Sequence, residues 1–204
     1  GAWLVPTHVT REEDASARDP AFTGDPRLAY LDPLSRWAYR DDLKSTAARY
    51  PGARGEAALR DYFEHGLALT GDAYRAGVPV LVGTDTAIGG FRYHDEMALL
   101  VCAGLSPAEV LRAATLDAAH YAGQTRRHGR VAVGNAADLV LFEANPLDDI
   151  AHTRRLHAVL LAGRLYDRPR LDALLGFTRA QARSPANAAK LVWGFLASSI
   201  SGEL

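Results

Sequence analysis

The sequence predicts an α/β fold followed by a small all-β element, and three observations carry that expectation. Residues 78–82, Val-Pro-Val-Leu-Val, form a continuous apolar run of the kind seen in a parallel strand covered on both faces. Helical periodicity stands on both sides of this run. From Arg130 onward the texture changes to short apolar runs separated by turn residues, which reads as antiparallel sheet.

Taken in order, Ala2-Trp3-Leu4-Val5-Pro6-Thr7-His8-Val9 is strand-like and stands at the start without a polar lead-in, as in a processed chain or a fragment of a longer one. Residues 10–55 are polar, acidic and punctuated by proline, with one apolar grouping at 28–39. They are expected to form a long connection holding one short helix, and connections of that length are usually functional lids or insertions. From Glu56 the residues Leu59, Tyr62, Phe63, Leu67, Thr70, Ala73 and Tyr74 share a helical stripe that Gly77 ends. The strand at 78–82 follows, and the turn Gly83-Thr84 delivers Asp85. Ligands in parallel-sheet folds sit just beyond the carboxyl ends of the strands, so Asp85 is the first functional candidate. From the tripeptide alone, a turn former or helix cap is the commoner role for such an Asp.

A helix is expected over 93–103, opened by His94 and closed by Gly104. Ser106-Pro107-Ala108-Glu109 is a capping box with proline at the first helical position, and Leu105 with Val110 forms a hydrophobic staple. Asp117 and Gly123 bracket a short helix at 118–122. Strands are expected at 130–133, 138–142 and 157–161, with Asn135 and Asn145-Pro146 at the turns and Ala162-Gly163 as a hairpin turn into 164–166. Asp138, Asp148 and Asp149 read as strand-start and turn residues. The tail at 184–199 places Ala188, Leu191, Val192, Phe195 and Leu196 at helical spacing, which is expected to be a docked terminal helix, with a membrane-surface or partner helix as the alternative.

Composition narrows the function classes. The 204 residues are 48% hydrophobic, enough for one ordinary globular domain or two small ones. With 23 basic against 24 acidic side chains there is no long-range field for nucleic acid or an anionic membrane surface. No window approaches the roughly 20 apolar residues needed to span a bilayer. The single cysteine, Cys102, lies in an apolar stretch, where a packed, reduced thiol and hence a cytoplasmic setting are expected. No phosphate-cradling loop, nucleophile elbow, zinc-binding His pair or Cys-x-x-Cys is present, and the seven histidines are scattered.

Several segments in series carry a resemblance. They are Gly-Val-Pro-Val-Leu-Val-Gly-Thr-Asp at 77–85, His-Asp-Glu-Met-Ala-Leu-Leu-Val-Cys-Ala-Gly-Leu-Ser-Pro-Ala-Glu at 94–109 and Leu-Arg-Ala-Ala-Thr at 111–115. Gly-Asn-Ala-Ala-Asp-Leu-Val-Leu-Phe at 134–142, Asn-Pro-Leu-Asp-Asp-Ile at 145–150 and Val-Leu-Leu-Ala-Gly-Arg at 159–164 complete the series. In this order they resemble the C-terminal portion of the amidohydrolase superfamily, in its imidazolonepropionase-like and prolidase-like branch of metal-dependent hydrolases. Trp-Leu-Val-Pro-Thr at 3–7 resembles that branch's seventh barrel strand.

The resemblance implies the C-terminal part of a (β/α)₈ TIM-type barrel, with strands seven and eight at 2–9 and 78–84, joined to part of a small β-sandwich. The implied division is 1–128 for the partial barrel, 129–168 for the sandwich strands and 169–204 for a helical tail. It implies hydrolysis of a C–N bond in an amide, cyclic amide or dipeptide, with a divalent metal, zinc being expected. Asp85 would be metal ligand and proton acceptor, while Thr7, His8 and Thr86 would project toward a small-molecule substrate; for His8 a solvated loop residue is the commoner role. Histidines from other barrel strands, often with a modified lysine, would complete the centre and would lie upstream of Gly1. A barrel of this type takes about 250 residues, and only two of its strands can be counted here. The expectation is therefore a fragment, or a chain needing a complementary N-terminal barrel segment or partner chain, with homo-oligomerisation as another outcome. The competing reading is a catalytically inactive structural or interaction module.

Overall fold

The computed structural model describes residues 1–187 together with Lys190. It is a mixed helix and strand fold: eight α-helices and one three-stranded sheet stand among the described residues. The two apolar segments at 2–9 and 78–84 run side by side and parallel, but they meet through a single bridge, Leu4 with Val80. The Leu4 amide donates to the Pro79 carbonyl and the Leu81 amide to the Leu4 carbonyl, both at 2.9 Å. Neither segment is therefore the extended strand expected. Strands are made by their neighbours, and with one short contact the ladder does not propagate. The first segment also turns early, because Thr7 adopts φ 49° and helix α1 (His8–Ala15) begins at the next residue.

The expectation of a mostly irregular connection over 10–55 fails. Four more helical pieces follow α1: α2 (Pro20–Thr23), a 3₁₀ turn at Pro26–Tyr30, α3 (Pro33–Arg49) and the start of α4 (Gly52–Arg75). The physical reason is three Asp-Pro pairs. Asp19, Asp25 and Asp32 each accept backbone N–H groups of the turn they open, and Pro20, Pro26 and Pro33 sit at first helical positions, where a missing N–H costs nothing. The apolar grouping at 28–39 becomes a small core in which Ala17, Leu28, Tyr39, Leu43 and Ile88 are buried together.

The main core lies between α4, α5 (Gly89–Cys102) and α6 (Pro107–Ala114), where Val80, Met97, Leu100, Leu105 and Val110 are buried with Ile150 from the distal end of the chain. Helix α4 follows the expected stripe, with Leu59 and Thr70 buried. The exception is Tyr62, which points outward beneath the guanidinium of Arg11, 5.0 Å from the ring centre. The capping box forms as expected: Glu109 N–H donates to Ser106 Oγ, and Glu109 Oε2 accepts the Ser106 amide at 2.7 Å. Helix α5 starts earlier than expected, so His94 sits inside it instead of opening it. Helix α7 spans Leu116–Tyr121.

The antiparallel expectation holds for β1 (Leu139–Phe142), β2 (Leu156–Leu161) and β3 (Arg164–Asp167), in the order β1-β2-β3. Ala162 and Gly163 both take positive φ, the geometry of a two-residue hairpin turn. Residues 130–133 form no strand and pair with neither edge of the sheet; Val131 and Val133 are 85% and 107% exposed. Asp149 caps a 3₁₀ turn at Ile150–Arg154, and Asp138 accepts the Ala162 amide at 2.7 Å, consistent with turn and strand-start roles. Cys102 is exposed at the end of α5, contrary to the packed thiol expected. Helix α8 (Arg168–Ala182) follows β3, whereas most of the helix expected at 184–199 lies outside the described residues. No helix among the described residues is long and apolar enough to cross a membrane.

Candidate functional site

The residues after Val80 run close against the first segment. A β-carbon on Gly83 would come within 2.4 Å of Val5 Cγ1, so glycine is what permits that approach. Asp85 then takes φ 44°, in the left-handed region that Asp tolerates better than most residues. Thr86 accepts the Gly89 amide through its carbonyl at 3.1 Å, which turns the chain into α5. Asp85 and Thr86 thus face a cleft of about 460 Å³ whose walls include Glu13 and Asp14 of α1 and Tyr39 and Asp42 of α3.

The cleft wall is held by charge. Thr86 Oγ1 donates to both Glu13 oxygens, at 2.9 and 3.0 Å. Burial pushes the Glu13 carboxyl above its ordinary range, partly offset by Thr86 and by the Arg92 guanidinium. The Tyr39 phenol stands beside Glu13 and is pushed up by burial and by that carboxylate. Arg92, 4% exposed, lies 2.6 Å from Glu12, 2.8 Å from Asp95 and 3.3 Å from Glu13, and it donates to the Val9 carbonyl at 3.2 Å. Asp95 also receives Arg27 at 2.8 Å and Arg154 at 2.6 Å. Burial alone would raise the Asp95 carboxyl, but these arginines hold it below the usual range.

The segment His94-Asp95-Glu96 therefore ties α5 to three other elements. His94 Nδ1 lies 3.1 Å from Thr153 Oγ1, Asp95 gathers the arginines, and Glu96 accepts the Val9 amide at 2.8 Å. That last bond gives α1 an acceptor at its first turn, where Thr7 offers no side-chain cap.

Of the residues singled out from the sequence, Asp85 and Thr86 line the cleft together. Thr7 and His8 are not among its lining. His8 is buried, neither in a solvated loop nor at the cleft, with Nε2 3.0 Å from Thr70 Oγ1 on α4. Glu13, Asp14, Tyr39 and Asp42 were not anticipated, because they sit in the stretch read as irregular; the Asp-Pro pairs were the signal that could have placed them on helices. The cleft brings a carboxylate, a hydroxyl and a phenol to one wall, a set able to hold water and exchange protons. It does not make a metal centre: no group of three His, Cys, Asp or Glu side chains among the described residues could hold an ion, and zinc needs at least three protein ligands.

Known proteins resemble this chain in sequence and in fold. The chain is 34% identical over 97 residues to imidazolonepropionase from Shouchella clausii, covering 44% of this chain and 22% of the relative. Among solved structures, bottromycin amidohydrolase superposes with a TM-score of 0.67 at 28% identity, covering 91% of this chain and 42% of that one. A putative prolidase from Bifidobacterium longum gives 0.52 at 33% identity, covering 63% and 34%. The chain spans 16% to 32% of the length of the first curated relatives it matches. The amidohydrolase family profile matches residues 41–166, a stretch that runs from the α3 wall of the cleft through Asp85 to the end of the sheet. With more than half its length inside that match, this chain belongs to the amidohydrolase family.

Proposed function

We propose that this chain supplies the eighth-strand carboxylate, Asp85, of a metal-dependent hydrolase that cleaves the C–N bond of an amide, cyclic amide or dipeptide. The observation that carries the reading is the placement of Asp85: it follows an apolar segment that bridges its neighbour in parallel, and it lines a cleft together with Thr86. Relatives named as an amidohydrolase and an imidazolonepropionase support the reaction class. In such enzymes a divalent ion, with zinc expected, lowers the pKa of bound water toward about 7. One carboxylate cannot hold that ion. The remaining ligands come from a complementary N-terminal barrel segment or a partner chain, with the segments at 2–7 and 78–84 as barrel strands seven and eight.

The part played by this chain is proton transfer and positioning. Asp85 accepts a proton as the water oxygen bonds to the carbonyl carbon, and returns it to the nitrogen as the C–N bond breaks. Thr86 closes the same wall, and α3 supplies the surface over the substrate. In the complete enzyme, Asp85→Asn is expected to lower kcat roughly 10²–10⁴-fold with the fold intact by circular dichroism. Wild-type turnover in that variant removes Asp85 from the mechanism. A second reading, an inactive structural module, draws on the missing ligand set among the described residues. Zinc bound stoichiometrically by the isolated chain and lost in Asp85→Asn would overturn both the incomplete centre and that second reading.

A further inference from the structure

We propose that Glu13 is a positioning residue for Asp85, acting through the Thr86 hydroxyl and anchored by Arg92. The inference rests on reading Asp85 as the reacting carboxylate. A non-glycine residue at φ 44° persists only where its surroundings over-determine it. Before Asp85, Gly83 packs closely against the Val5 side chain, where a β-carbon would come within 2.4 Å of Val5 Cγ1. After it, Thr86 is held by its hydroxyl, shared between both oxygens of Glu13. Glu13 is 7% exposed, both of its oxygens accept from Thr86, and Arg92 Nε stands 3.3 Å away as an ion pair, which favours a support role over direct substrate capture.

The support continues behind it. Arg92 is fixed by Glu12, Asp95 and the Val9 carbonyl, so the clamp joins α1 and α5, the two helices that follow the parallel segments. A carboxylate whose supporting shell slackens loses alignment with the water it must deprotonate, and a displacement of about 1 Å can cost 10²-fold in rate. Thr86, expected from the sequence to contact substrate, becomes in this reading the link between Glu13 and the Asp85 backbone.

The test combines kinetics in the complete enzyme with amide hydrogen exchange in this chain. Thr86→Val and Glu13→Ala are each expected to lower kcat about 10- to 100-fold with KM changed less than about twofold. Thr86→Ser is expected to restore kcat, and the double variant Thr86→Val/Glu13→Ala is expected to be no worse than the more impaired single variant. The Gly89 amide, which donates to the Thr86 carbonyl at 3.1 Å, is expected to exchange about tenfold faster in Thr86→Val and to return to the wild-type rate in Thr86→Ser. Wild-type kcat in Thr86→Val, failure of serine to rescue, or multiplying effects in the double variant overturns the proposal. So does unchanged exchange of the Gly89 amide in Thr86→Val, whatever the kinetics show. An active Asp85→Asn enzyme instead removes the proposed role of Asp85, while the exchange result still decides whether the clamp exists.

Discussion

Glu96 is wholly buried on α5; one carboxylate oxygen accepts the Val9 amide, and the other has no hydrogen-bond partner among the described residues. Burial pushes its carboxyl from 4.5 up to about 7, so the fold favours the protonated form. The stability it contributes is complete below about pH 4.5 and is lost as pH rises through 7. His8 works in the opposite sense. Burial and the nearby Arg11 push its imidazole from 6.5 down to about 4, so its contribution is complete above pH 6.5 and is lost as pH falls through 4. Glu96→Gln is expected to gain on wild type by on the order of 3 kcal/mol as pH rises from 4.5 to 8, read from urea unfolding at both values. A pH-independent gap between the two proteins would contradict this. Neither burial was legible in the sequence: His8 stands in an apolar run and Glu96 in a polar triplet, and only the crossing of α1 over α4 and α5 encloses them.

At the scale of elements, helix starts were legible wherever cap and periodicity agreed. Ser106 through Glu109 combines a hydroxyl cap, a proline and a returning carboxylate, and every group reaches the partner expected. Asp32-Pro33 has a cap and a proline but no returning carboxylate, and α3 has little amphipathic stripe to accompany them, so the cap was not enough to betray a 17-residue helix. Asp32 accepts the Leu34 and Ser35 amides at 2.9 and 3.0 Å. Asp32→Ala is expected to cost about 1 kcal/mol, seen as a lower urea midpoint, whereas Asp32→Ser is expected to retain most of it. Equal midpoints for wild type and alanine would show that α3 is held by Tyr39 and Leu43 alone. The expected strand at 130–133 erred in the other direction, since β-branched residues show propensity but carry no information about a partner.

At the scale of the whole molecule, the parallel segments have one bridge between them, and Val131, Val133, Leu161 and Leu165 present apolar surface to solvent. Unpaired edges and apolar patches invite association. Native mass spectrometry is expected to find this chain bound to a complementary barrel segment when one is supplied, or self-associated without it. A stable single-chain species under both conditions would count against the partial-barrel reading. By itself the sequence determined the family, the helix capped by Ser106, the hairpin and Asp85 as the carboxylate after an apolar segment, because caps, turns and ordered motifs are local chemistry. The tertiary structure alone decided which groups share the cleft with Asp85, that His8 turns away from it, and that Glu13 and Arg92 stand behind Thr86. Those facts depend on how helices far apart in the chain cross, and the burial and charge pairing at such crossings leave no periodic trace along the chain.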